Sequence, residues 1–171
     1  MNQVIENILS RRSIRAFGER KIPKEDLEIL VKCALYAPSA RNLQTWRFTV
    51  LTEREDIDGL ASVIGKALGR EGYDMYRPAA LIIPSNRADS PYGRDDNACA
   101  LENIFLAAHS LGIGSVWINQ LNGICDEEEV RKVLAKFEIP SDHTVYGMAA
   151  LGYSAEAEVK KVEKTGEVKF F

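Results

Sequence analysis

Histidine is almost absent from this 171-residue chain. His109 and His143 are the only two, and neither has a Cys, Asp or Glu at a specific metal-ligand spacing, so no metal site is expected. Cysteine is nearly as scarce. Cys33, Cys99 and Cys125 lie far apart with no Cys-x-x-Cys pair, which excludes a disulfide framework and fits a reducing cytoplasm. Cys33 and Cys99 fall on helical segments among apolar neighbours, where a buried and inert thiol is expected. No apolar run approaches the ~20 residues needed to cross a bilayer, and Met1 to Glu6 shows no basic stretch leading into an apolar one. A membrane role and a targeting segment are therefore not expected. A surplus of positive charge is also missing: 22 Lys and Arg against 25 Asp and Glu give a net charge of −3, which excludes a general nucleic-acid binder. There is no Walker A loop, no Gly-x-Ser-x-Gly elbow and no His-Glu-x-x-His, and Gly112-Ile113-Gly114 lacks a third glycine and precedes a strand. Any catalysis must therefore draw its reactive atoms from a cofactor.

What the chain does have is one dense knot of local charge. Arg11-Arg12-Ser13-Ile14-Arg15-Ala16-Phe17 places three guanidinium groups and a hydroxyl within five positions. Arginines this close repel one another unless an anion lies between them, and their planar donor forks match phosphate oxygens. Alternation of Ile14 and Phe17 with Ser13 and Arg15 reads as extended backbone, with Ser13 and Arg15 facing one way and Ile14 the other. A phosphate receptor and a solvated basic corner are both compatible with that pattern. Because the positive charge is local, the anion it suits is small.

With 46% hydrophobic residues the length fits one domain, 1–171. Val4, Ile5, Ile8 and Leu9 repeat at helical spacing up to the basic knot. A second helix opens at Pro23 with Leu27, Leu30, Val31, Ala34 and Leu35 as its stripe, and must stop by Ala37 because Pro38 follows. Ser39 to Thr45 is a polar loop of small residues whose Ser39, Asn42 and Gln44 carry donors and acceptors suited to the edge of a polar heterocycle. A strand from Trp46 to Thr52 and a helix from Glu53 to Leu68 come next. Ala79 to Ile83, between Pro78 and Pro84, reads as a strand covered on both faces, and 85–94 as a polar, mobile rim. A long Ala-rich helix capped by Asp95 or Asp96 leads to a strand at Gly114 to Asn119. Asp126 with Glu129 reads as a capping box, Thr144 to Leu151 as a further strand, and Ser154 to Phe171 as a tail without a helical stripe.

In combination, Arg11 to Phe17, Ala37-Pro38-Ser39-Ala40-Arg41-Asn42-Leu43-Gln44-Thr45-Trp46, Ala100 to Asn119 and Leu151-Gly152-Tyr153 resemble the nitroreductase family of FMN-dependent flavoproteins. The resemblance implies an α+β fold: a central, mostly antiparallel sheet between helices in three α-β-α layers, with the arm 154–171 swapped onto the partner of a homodimer. It implies that Arg11, Arg12 and Ser13 hold the FMN phosphate and ribityl chain, with Arg15 nearer the ring. Pro38, Ser39, Ala40, Asn42 and Gln44 would line the isoalloxazine, Asn119, Gln120 and Leu121 would meet it from a strand end, and Lys160 and Lys161 would reach the phosphate. The activity implied is electron transfer from NADH or NADPH to a small nitroaromatic, quinone or flavin acceptor by a ping-pong scheme, with no side chain acting as nucleophile. Reductive dehalogenation, flavin breakdown and a non-catalytic FMN-binding dimer are the alternatives within the same fold. Two departures stand out: Gln44-Thr45-Trp46 where the family has Gln-Pro-Trp, and Gly152-Tyr153-Ser154 where it has Gly-Tyr-Pro.

Overall fold

The apolar run at Ala79 to Ile83 becomes the inner strand around which the layers assemble. In the computed structural model, which describes residues 2–156 and 162–171, the helices are α1 (Gln3–Ser10), α2 (Lys24–Leu35), α3 (Arg54–Ala67), α4 (Gly93–Ser110) and α5 (Glu128–Lys136). The strands are β1 (Trp46–Leu51), β2 (Ala80–Arg87), β3 (Gly114–Ile118), β4 (His143–Thr144) and β5 (Met148–Gly152). The sheet runs β1-β2-β5-β3 with every strand pair antiparallel, and β4 continues along β2 past the end of β5.

Side chains alternate across this sheet, so each face has its own core. Leu51, Leu81, Ala150 and Val116 stand in one row and pack with Ile57, Leu60 and Ile64 of α3 and Val130 and Leu134 of α5. Ile82 and Ala149 point the other way, against Leu27, Leu30 and Ala34 of α2 and Ala100, Leu101, Ile104 and Ala108 of α4. The three-layer α-β-α architecture follows directly from β2 being apolar on both sides. Small alanines on α4 let α2 approach, as their spacing implies.

Several boundaries differ from the sequence reading. Pro84 does not end its strand; β2 continues to Arg87. The second edge of β2 pairs with β5 up to Ile82 and with β4 from Asn86, and Pro84 sits in the gap between, where a residue without an N–H is tolerated. The proposed rim therefore shrinks, since Ser85 and Asn86 are fully buried in β2 and Gly93 already belongs to α4. The single strand expected at Thr144 to Leu151 is two, because the chain opposite β2 carries one extra residue between the two pairings, a bulge. Gly147 lies in that bulge under the Trp117 indole, which occupies the space a Cβ would need.

Neither acidic cap forms. α4 begins after Tyr92, and Asp96 turns inward; α5 begins after Glu127, and Asp126 pairs instead with Arg131 at 2.6 Å. Cys99 is exposed on α4, Cys33 is half-buried, and Cys125 is the buried thiol. On α2, Leu35 lies at the exposed helix end outside the core stripe. Among the described residues no helix is long and apolar enough to cross a membrane.

Candidate functional site

The basic knot is extended and stapled to the sheet margin. Ser13 pairs in parallel with Ser115, the Ile14 N–H donates to the Ser115 carbonyl at 3.0 Å, and Gly18 N–H donates to Tyr153 at 2.8 Å. The segment thus bridges the start of β3 and the exit of β5. Two glycines make this possible. A Cβ on Gly114 would stand 3.0 Å from Ile14, and one on Gly152 would stand 2.8 Å from the Phe17 ring. Ile14 is buried, Ser13 half-buried and Arg15 exposed, so Arg15 faces away from Ile14.

Beside this segment lies a cleft of about 330 Å³ lined by Arg11, Arg12, His109, Ser115 and Ser154. Ser13 and Arg15 do not line it. One nitrogen of Arg12 donates to the carbonyls of Leu9 and Arg11, both at 2.7 Å, closing the end of α1. Among the described residues no ion pair involves Arg11, Arg12 or Arg15. One carboxylate meets the backbone of the segment: Glu156 Oε1 accepts the Arg15 N–H at 2.8 Å. Burial, then Arg11 and Arg12, push the His109 pKa below its usual value, which favours the neutral imidazole beside two cations. Its Nε2 lies 2.7 Å from Ser10 Oγ, which itself donates to the Glu6 carbonyl.

A second polar group lies at the other end of α4. After Pro38 the loop makes a tight turn over Ala40–Asn42, with Arg41, Asn42 and Gln44 in the left-handed region at φ 54°, 56° and 49°. Such conformations cost energy in residues other than glycine and gather at sites where function requires them. Ser39 Oγ accepts the Gln44 N–H at 2.9 Å, and Gln44 Nε2 donates to Asn42 Oδ1 at 2.7 Å, while both amide side chains stay exposed. Below them, Asp96 Oδ1 accepts the Ala40 N–H at 3.0 Å and Thr45 Oγ1 donates to Asn86 Oδ1 at 2.6 Å.

Asn119, Gln120 and Leu121 stand at the end of β3, on the same end of the sheet as this loop but at its opposite edge. The Asn119 N–H is taken by Gln120 Oε1 at 3.0 Å, and the Leu121 side chain is buried in the core. Lys160 and Lys161 lie outside the described residues. The structure therefore gathers Arg11 and Arg12 in one cleft and Ser39, Ala40, Asn42 and Gln44 in one loop, but it does not bring these two groups together. His109 touches the first and Asp96 the second, and at 1.5 Å rise per residue those two points on α4 are about 20 Å apart. Neither residue was singled out as functional by sequence: their partners are far away along the chain, and no local spacing signals them.

The nitroreductase family profile matches residues 8–80 and 69–153. A protein of Archaeoglobus fulgidus, provisionally named an NADH dehydrogenase/NAD(P)H nitroreductase, is 37% identical over 160 residues, covering 90% of this chain and 86% of its own length. The NADPH-flavin oxidoreductase of Vibrio harveyi is 32% identical over 132 residues, 71% of this chain and 55% of that protein. The crystal structure of a nitroreductase with bound FMN from Bacteroides fragilis superposes over the whole of both chains with a TM-score of 0.91 at 37% identity. The stapled Arg-Arg-Ser-x-Arg segment, the polar turn after Pro38 and the layered antiparallel sheet thus share one origin: this chain belongs to the nitroreductase family.

Proposed function

We propose that this protein is an FMN-dependent oxidoreductase that takes electrons from NADH or NADPH and hands them to an electron-poor small molecule, a nitroaromatic, quinone or flavin, in a ping-pong cycle. The observation that carries this reading is the basic segment itself: three arginines on a backbone stapled to the sheet margin, none paired with a carboxylate among the described residues, two of them, Arg11 and Arg12, lining a cleft of about 330 Å³. Such a donor set fits a phosphate monoester. Arg11, Arg12 and Ser13 would hold that phosphate, and Arg15 would offer positive charge toward the ring. Pro38, Ser39, Ala40, Asn42 and Gln44 would line the ring, and Asn119, Gln120 and Leu121 would approach it from the strand end. Bound there, FMN supplies the two-electron chemistry. The chain contributes binding, orientation and positive potential where negative charge gathers.

The site is proposed to be shared between two copies of the chain. Supporting this, the basic segment and the ring-lining loop occupy opposite ends of α4, about 20 Å apart along it. Val4, Ile5, Ile8 and Leu9 form an exposed apolar stripe on α1, and Val162, Val168, Phe170 and Phe171 of the tail are exposed as well. A homodimer that covers these surfaces would place the loop of one copy beside the basic segment of the other.

Mixing two defective proteins tests the arrangement. An Arg11→Ala/Arg12→Ala variant and an Asn42→Ala/Gln44→Ala variant each bind FMN poorly, but their heterodimer carries one intact site and regains full-affinity binding there. No recovery on mixing, with heterodimers demonstrably formed, would place each site within one subunit.

A further inference from the structure

The buried carboxylate at the start of α4 has no place in the phosphate site, and its surroundings define what it does. Asp96 is 4% exposed, and among the described residues no cation lies within ion-pair distance of it. Burying such a charge is costly unless donors replace the lost water. Two of the donors come from the loop after Pro38: the Ala40 N–H at 3.0 Å on Oδ1 and the Ser39 hydroxyl at 3.3 Å on Oδ2. The first turn of α4 adds the positive end of its helix dipole.

We propose that Asp96 is a positioning residue of the flavin site, a latch that holds the ring-lining loop in its strained form. The chain of contacts runs from Asp96 to Ser39 Oγ and from Ser39 Oγ to the Gln44 N–H at 2.9 Å, so both ends of the turn answer to one carboxylate. Between those ends lie Arg41 and Asn42 at positive φ, with Gln44 at the second end also at positive φ, conformations that the free loop would leave. The latch is itself fixed. Asn86 Nδ2 donates to the Gly93 carbonyl at 3.4 Å and to Asn97 Oδ1 at 3.3 Å, and a Cβ on Gly93 would come within 3.2 Å of Asn86. β2, the first turn of α4 and the loop therefore meet in one buried polar knot. Two ligand-facing side chains, Asn42 and Gln44, are carried on the strained side of it. Asp96 touches the ring-lining loop at Ser39 and Ala40, and it acts on Asn42 and Gln44 only through them.

This inference rests on the reading that the loop lines the flavin ring, and the experiment separates the two. Purified FMN-loaded protein is compared with Asp96→Ala, Asp96→Asn and Asn42→Ala variants by visible circular dichroism of the bound flavin, by FMN dissociation constant and by KM and kcat for NADPH. Asp96→Asn keeps an acceptor for Ala40 and the shape of the side chain, so it carries the test if the alanine variant fails to fold. The expected result is a changed flavin dichroism in Asp96→Ala and Asp96→Asn, weaker in the latter. FMN affinity falls about tenfold in the alanine variant, and kcat falls more than KM rises. If Asn42→Ala perturbs the flavin spectrum while both Asp96 variants match wild type in spectrum and affinity, the latch is overturned and the ring assignment stands. If none of the three perturbs it, the loop is not at the ring and both readings fall.

Discussion

Ile14 rests directly on the bare Cα of Gly114, and a methyl group there would stand 3.0 Å from both Cβ and Cγ1 of Ile14 and 3.0 Å from the Gly152 carbonyl. The basic segment is therefore held by shape as well as by hydrogen bonds, and its position is exposed to mutation at a residue with no functional group.

Gly114→Ala should destabilise the protein by about 1–3 kcal/mol, the usual cost of overpacking, and should also weaken FMN binding because the segment is pushed outward. Thermal unfolding and flavin titration check both. Gly59 provides the contrast. It lies inside α3, and beyond its own helical turn no atom of the described residues comes within 4 Å of where a Cβ would stand, so Gly59→Ala should raise stability by roughly 0.5–1 kcal/mol and leave the flavin untouched.

His109 makes the stability of flavin-free protein depend on pH. Burial, then Arg11 and Arg12, lower its pKa in the folded state, so below about pH 6.5 the unfolded chain takes up a proton that the folded one still refuses. Stability is full above that pH and is lost as the pH falls through it toward the depressed folded value. His143, also lowered chiefly by burial, contributes with the same sign. Denaturation midpoints between pH 7.5 and 5.5 should fall, and His109→Gln should flatten the slope without abolishing it. An unchanged slope in that variant would contradict the assignment.

Tyr73 carries a hydroxyl with no hydrogen-bond partner among the described residues, shielded from solvent, and burial pushes its pKa up to about 12. Removing a buried, unpaired polar atom is cheap. Tyr73→Phe should leave stability unchanged or raise it slightly, and should delete the latest-ionising phenol in an absorbance titration. A loss of more than about 1 kcal/mol would mean that the hydroxyl has a partner in solution.

Cys125 is buried between the Leu121 carbonyl and the Val145 N–H, and burial raises its thiol pKa. It should react with a thiol reagent only on unfolding, whereas a Cys125→Ser variant loses that late-reacting thiol and nothing else. Prompt modification of Cys125 in the native protein would show that the 119–125 turn opens.

Much of this architecture was legible because burial writes itself into periodicity. Leu81 and Ile83 against Ala80 and Ile82 announced a strand covered twice, and Leu27, Leu30 and Ala34 announced the face of α2. Boundaries were less legible where a long-range partner decides them. Pro84 reads as a stop, yet β2 runs through it because the ladder beside it is interrupted. Asp96 reads as a cap, and only the fold reveals the Ala40 N–H waiting 3.0 Å away. The basic segment was visible from its charge alone, but its neighbour His109 is 99 positions from its contact Ser10 and left no local trace. The separation of the two proposed half-sites along α4 was likewise invisible, since it depends on which ends of a helix the loops meet.

The most direct test of the phosphate assignment compares FMN with riboflavin, which differs only in lacking the phosphate. Flavin-free wild-type protein, titrated with each, should bind FMN at least a hundredfold more tightly, because each charged hydrogen bond contributes about 1.5–3 kcal/mol. Arg11→Ala/Arg12→Ala should bind the two flavins nearly alike. Equal affinity in the wild type, or a preference for FMN that survives loss of both arginines, would contradict the account.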